Sequence, residues 1–582
     1  MSTIERHALV FGATGLIGRN LVLALGRAGV RVSTASRSRD SYERLERWLA
    51  EHGHPRPPAD LRVDFASPSL IAGDLQPDGI TEVYNCAGAY RFGMTEDEAR
   101  RANVDSVRAI VAFSARLPSL RRLVQVSGYR VSGQERPESY RDLGAYEGSR
   151  VEADAVFRTE VERLGVPWSI VNPASVIGDS RTGESDQYLG LASTLKDLWQ
   201  GTLTAVPGNA RTFVPVVAAD YFARFMALLP EAEEAAGEAY WLLDDDTPAM
   251  PDLIALVADH YGVKAPRMRI PVPVVKRLPR RLTKADPETL TFLSSDRYPT
   301  GSARAFADRH DLVMPDTATT IRRWADHLAA HRFGDAPPGN RRFTTLGGVR
   351  TFELGEPGAP TVVLPGLPVN ADTWAPAVAL LGDARAIDLP GLGMSAGDPD
   401  DWSSWLAALV TESGAPHLVG HSIGAAAAVE AAAAHPDAVE RLTLVSPFFL
   451  QRRPGLLARS APLSRLGLKR VTPDALADRL AGSAEHAAAL GSSVADLRRG
   501  DVAGNVAGLL AASAEQEWRA GLQAKLRAYG GQVHVIVGSE DPLEIVPNAT
   551  VTVIPGAGHH PQLTHPREVA EAVRTHAELK IR

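Results

Sequence analysis

The stretch Gly420-His421-Ser422-Ile423-Gly424 sets a serine between two glycines, where the apolar run "HLVG" gives way to an alanine tract. A strand-to-helix turn of this kind is sharp and strained, and the flanking glycines leave room for it and expose the hydroxyl. Serine alone is a poor nucleophile, so it needs a base and a group that orients the base. The chain order expected with such a turn is serine, then acid, then histidine. Both partners follow: Asp541 after "VHVIVGSE" and His559 after "VTVIPGAG". Glu540 is the alternative acid if the strand ends earlier. Between the adjacent imidazoles, His559 fits the Gly-x-Gly-His pattern better than His560, and His421 reads as packing within the turn. No aspartate follows "LTLVSP", so an acid from that strand end is not expected.

A second chemical stretch lies near the start, "FGATGLIGR". Gly12, Gly15 and Gly18 follow a strand-like run and open a helix-like one, with Thr14, Leu16 and Ile17 between them. The first glycine permits a tight turn, the second lets a pyrophosphate approach the backbone, and the third lets helix and strand pack closely. The helix N-terminus favours the phosphate charge. About twenty residues on, where an acid would bond a ribose hydroxyl, the chain reads "VSTASRSRD". The acid is absent and Arg37 and Arg39 follow. A cation there suits a 2′-phosphate, so NADP is expected over NAD.

The elements that must position these groups alternate along the chain. Apolar runs such as "HALVFG", "EVYNCAG" and "WSIVNPASV" are separated by amphipathic stretches up to about residue 330. Runs that are apolar on both faces mean a parallel sheet covered by helices. "GDAPPGNRR" reads as a linker at 334–342. A second alternation follows, interrupted between "LVSP" and "VHVIVG" by a helical insertion, 448–530, read as a lid. The expected class is α/β: a Rossmann-type parallel-sheet domain at 1–333, then a second α/β domain at 343–582. At 582 residues the chain exceeds what one core usually serves.

The composition narrows the classes. A 45% hydrophobic, 23% charged chain with net charge −7 is ordinary globular protein, without the basic stripe of a nucleic-acid binder. The single cysteine, Cys86, excludes internal disulfides and, with no apolar leader or membrane-length tract, leads to a cytoplasmic expectation. The sixteen histidines form no metal signature, and "LLDDDTP" reads as a turn, so no metal is expected.

The first half resembles the extended short-chain dehydrogenase/reductase family, in the branch of acyl-thioester and fatty-acyl reductases. The motifs that carry this are "FGATGLIGR", "NCAG", "NPASVIGDSRTGE" and "FVPVVAADYFARFM". The resemblance implies cofactor contacts at Asp64 and Phe65 in "RVDF", at Ala87 and at Asn103. It also implies hydride transfer at a carbonyl carbon, with a tyrosine acid or base. The family's Tyr-x-x-x-Lys becomes Tyr146 and Arg150 in "AYEGSR". Four apart, they share a helix face. Arginine can favour phenolate and bond a ribose, but it cannot shuttle a proton. Gly128 falls at the family's catalytic Ser/Thr position, with Ser127 or Ser132 as substitutes.

The second half resembles the α/β-hydrolase family through "VLPGLP", "DLPGLGMS", "GHSIG" and the Asp/His pair, in that order. The resemblance implies that Ser422 attacks an acyl carbon, His559 moves the proton and Asp541 holds the imidazole. The N–H groups of Leu367 and Ile423 would bind the oxyanion, each worth about 3 kcal/mol. A serine here speaks against haloalkane or epoxide chemistry. Three readings follow. One is a bifunctional NADP(H)-dependent oxidoreductase and serine hydrolase for an ester, thioester or lactone. The second is a hydrolase with a nucleotide-binding scaffold or sensor, and the third is an NAD(P)-retaining epimerase or dehydratase fused to a hydrolase. All three take small acyl or carbonyl substrates, with neither nucleic acid nor a membrane span.

Overall fold

A computed structural model describes residues 5–578 except 55, 66, 68–69, 72–78, 89–90, 92, 132–138, 276–291, 337–338, 413, 415, 453–459 and 546–548. Ser132 lies outside the described residues. The chain forms two compact units. One holds Met1–Leu195, Leu203–His260 and Ala265–Leu328; the other holds Lys196–Thr202, Tyr261–Lys264 and Ala329–Arg582.

The first unit is built on strands His7–Phe11 (β1), Arg31–Ser36 (β2), Ala59–Arg62 (β3), Glu82–Asn85 (β4), Arg122–Val126 (β5), Trp168–Pro173 (β6) and a late strand, Ala239–Leu242. From the late strand across, the order is late strand, β6, β5, β4, β1, β2, β3, with every pairing parallel. Alternation along β1 explains the two-sided burial. Ala8 and Val10 enter one core with Val124 and Phe222, while Leu9 and Phe11 enter another with Val83 and Ile110. The strand order reverses direction between β4 and β1, and ligands of open α/β sheets bind at such a point. Helix Leu16–Arg27 (α1) leaves from the tip of β1.

The second unit has an eight-stranded sheet, taken here as β7 to β14: Arg341–Leu346 (β7), Val349–Gly355 (β8), Thr361–Leu364 (β9), Ala384–Ile387 (β10), His417–His421 (β11), Arg441–Val445 (β12), Gln532–Gly538 (β13) and Thr550–Ile554 (β14). Their order is β7-β8-β10-β9-β11-β12-β13-β14. The first two pairings are antiparallel and the rest parallel. β7 starts inside the stretch read as a linker. Within the connection from β12 to β13, the stretch from Ala461 to Ala528 holds five α-helices and one short 3₁₀ turn, Ala484–His486. Helix Ile423–Ala434 is buried nearly all round, so its alanines are what a helix wedged into the core requires. Among the described residues no helix is long and apolar enough to cross a membrane.

Candidate active site

The serine turn is built by close packing. Ser422 itself adopts φ +53° and ψ −107°, a strained conformation for a residue with a side chain. A Cβ on Gly424 would lie 2.1 Å from the Leu364 carbonyl oxygen, and one on Gly420 2.5 Å from Ala425 Cα. Only glycine fits at either place, and the motif follows from that. Ser422 N–H still donates to Val445 O at 2.9 Å, so the strained residue stays tied to the sheet.

Three distant segments meet at this turn. His559 Nε2 stands 2.9 Å from Ser422 Oγ, and His559 Nδ1 stands 2.6 Å from Asp541 Oδ2. With Nδ1–H donating to the carboxylate, Nε2 is left to accept the serine proton. Asp541 follows β13, and among the described residues no helix separates it from β14. Glu540 is exposed and its N–H donates to Ala557 O. His560 is buried, and burial holds its imidazole well below the usual range.

His421 does more than pack. Burial, reinforced by nearby His559, pushes it down to about 3, so it is neutral. Its Nδ1 accepts from Gly366 N–H at 3.2 Å, which puts the proton on Nε2, and that donates to His559 O at 2.9 Å. One ring thereby joins the turn after β9 to the backbone of His559. Gly366 packs against Ser422, since a Cβ there would lie 2.8 Å from the serine Cβ. The next N–H, Leu367's, and that of Ile423 have no hydrogen-bond partner among the described residues.

Sequence reasoning missed Gln451. Its Nε2 donates to Asp541 Oδ2 and, at 3.1 Å, to Asp541 O. Glutamine carries no spacing signature, and the two residues come from separate loops. The one available signal is position, just beyond the strand end "LTLVSP", which no aspartate follows.

In the first unit, Gly12, Gly15, Leu16, Ile17, Gly18, Ala87, Ser127, Gly128, Tyr146 and Arg150 line one cleft of about 210 Å³. A Cβ on Gly12 (φ +73°) would lie 2.6 Å from the Cys86–Ala87 backbone, and one on Gly18 2.1 Å from Gly12 O. Gly15 caps α1 without a side-chain bond, so the first-turn N–H groups face the cleft end uncapped. This glycine cradle fits a dinucleotide pyrophosphate. Thr14 and Arg37 are exposed, as are Asp64 and Phe65 just past β3. Arg39 pairs with Glu43. Asn103 sits in a π-turn, Arg101–Asp105, and donates to Ser149 Oγ at 2.8 Å, which donates in turn to Tyr146 O.

Tyr146 follows a break at Gly144 (φ +85°) in helix Ser139–Leu164 and is buried against Met94 and Ala99. Arg150 donates to Ser127 O through Nη2. The Ser127 hydroxyl is committed elsewhere, donating to Asp154 Oδ1 at 2.9 Å. Among the described residues a Cβ on Gly128 would meet only Val131 at 3.7 Å and Arg150 at 3.9 Å, ordinary contact distances. A hydroxyl side chain would fit there, and this chain has none.

Comparisons with known proteins divide the chain the same way. Residues 10–226 match an NAD-binding family model described as Male sterility protein, and residues 361–572 match one described as Alpha/beta hydrolase family. The dihydrolipoyllysine-residue acetyltransferase component of an acetoin cleaving system of Pseudomonas putida is 31% identical over 183 residues, 29% of this chain and 47% of that protein. N-formylmaleamate deformylase of a Pseudomonas putida strain is 35% identical over 115 residues, 17% of this chain and 42% of that protein. The chain spans less than half the length of these curated relatives. Among solved structures, the terminal R domain from the myxalamid PKS-NRPS biosynthetic pathway aligns with TM-score 0.48 at 20% identity, covering 58% of this chain and 94% of that one. Two family matches in separate parts of one polypeptide thus identify a fusion of a reductase-like, NAD-binding region with an α/β-hydrolase region.

Proposed function

We propose that the chain is a bifunctional enzyme whose second region is a serine hydrolase for an ester, thioester or lactone. The observation that carries this is the continuous bonding from Ser422 Oγ through both His559 nitrogens to Asp541. In the mechanism, Ser422 attacks the acyl carbon as His559 Nε2 takes its proton. The N–H groups of Leu367 and Ile423 bind the oxyanion. His559 returns the proton to the leaving group, and water enters by the same path in reverse. Ester hydrolysis that survives Ser422→Ala unchanged would refute this reading.

We propose further that the first region, 1–333, binds NADP(H) and oxidises or reduces a carbonyl or acyl thioester, joined by a linker that opens at residue 334 to the hydrolase, whose sheet begins at Arg341. The bound cofactor would supply or accept hydride. Gly12, Gly15 and Gly18 would hold its pyrophosphate, and exposed Arg37 favours NADP. Tyr146 would hold the proton at the substrate oxygen, with Arg150 as the nearby charge. A second reading has specific support: the Ser127 hydroxyl is bonded to Asp154 and position 128 carries no hydroxyl. In that reading the cleft binds nucleotide without reducing a carbonyl. NADPH oxidation screened against aldehydes, ketones and acyl thioesters separates the two. Turnover lost in Tyr146→Phe supports the first, and no turnover with intact NADPH binding supports the second. The single cysteine supports a reducing, cytoplasmic setting.

A further inference from the structure

We infer that Gln451 is the positioning residue of Asp541, fixing which carboxylate oxygen meets His559; this rests on the reading of Ser422 as nucleophile. In a connection as short as that between β13 and β14, the acid needs another support, and the turn after β12 provides it. Leu450 O accepts from Glu544 N at 2.9 Å and Ile545 N at 3.1 Å, and Gln451 clamps Asp541 from the same turn. Gln451 is itself held: its N–H donates to Phe448 O and its carbonyl accepts from buried Arg519.

The glutamine is buried, yet its Oε1 has no partner among the described residues. A residue serving only to fill that space would be better as methionine or leucine, which leave no unmet acceptor. What glutamine supplies is Nε2, delivered to the same Oδ2 that accepts from His559 Nδ1. That oxygen therefore carries two donors and cannot rotate away without losing both.

The test compares Gln451→Met, which keeps the bulk and drops the donor, with Gln451→Glu, which keeps the shape and exchanges the donor for an anion. An activated p-nitrophenyl ester serves as probe, with thermal melts as the check on folding. Gln451→Met is expected to lower kcat about 10- to 100-fold, the loss of a hydrogen bond to a charged group, with KM within about twofold. Gln451→Glu is expected to move the acid limb of the pH–rate profile to higher pH, because a second carboxylate beside Asp541 favours the proton-bearing form of the site. If the methionine variant does not fold, the isosteric glutamate variant carries the test. Parent kcat and pH profile in the folded variants, with Ser422→Ala inactive, would overturn the positioning role alone. Full hydrolysis by Ser422→Ala would remove the nucleophile reading and this inference with it.

Discussion

Replacing Asp541 with asparagine removes a charge while keeping the shape. The oxygen at issue, Oδ2, accepts from His559 Nδ1 at 2.6 Å and from Gln451 Nε2. An asparagine amino group in that position would face two N–H donors, so its carbonyl must take the place. His559 then keeps its Nδ1–H tautomer and its free Nε2. What is lost is the attraction between the carboxylate and the imidazolium formed during reaction. At about 4 Å and an effective dielectric near 20 this is about 4 kcal/mol. The side chains are 34% and 28% exposed, and water screens the pair to about 3 kcal/mol. The expected fall in kcat/KM on a p-nitrophenyl ester is therefore about 10²-fold. Where the same change reverses the tautomer, the loss is about 10⁴-fold. A loss near 10⁴-fold would show that Gln451 does not select the amide orientation. A loss under about 10-fold would show that Asp541 does not support the base.

Gly424→Ala forces a methyl against the Leu364 carbonyl, 2.1 Å from the ideal Cβ, and should destabilise the hydrolase region by about 1–3 kcal/mol or more, read by denaturant unfolding. Gly18→Ala drives a Cβ to 2.1 Å from Gly12 O at the cradle, and NADPH binding by fluorescence titration should be lost. Burial pushes His421 and His417 down to about 3 and His576 to about 4, so the unfolded chain binds more protons than the folded one below pH 6.5. Asp388, pushed up to about 7 by burial, opposes this between about pH 4 and 7. Buried His560 and His534, also held low by burial, act with the three histidines, so the net expectation is a fall of about 3 kcal/mol in the stability of this region from pH 6.5 to 5.5, measured by urea unfolding. Stability that is flat or rising over that interval would contradict the neutral burial of the histidines.

Both glycine turns were legible because four of their glycines have a local cause: Gly420, Gly424, Gly12 and Gly18 each face backbone that a Cβ would strike. Serine, acid and histidine were legible through their order after three apolar runs, which became β11, β13 and β14. The supports were not. Gln451, the bridging role of His421 and the Ser127–Asp154 bond join residues 90, 138 and 27 positions apart, and none has a period or spacing to mark it. The π-turn that carries Asn103 was hidden for another reason: no residue type or spacing marks the extra residue per turn in Arg101–Asp105. The strand at Arg341–Leu346 begins within the Gly/Pro-rich stretch, because antiparallel pairing with Val349–Gly355 outweighs the local composition.

Mass spectrometry of the protein after reaction with a fluorophosphonate examines the nucleophile itself, independent of any substrate. The structure predicts one adduct per chain, carried by the peptide containing Ser422, absent in Ser422→Ala and strongly slowed in His559→Ala. An adduct retained at the parent rate in Ser422→Ala, or mapped to another residue, would contradict the account.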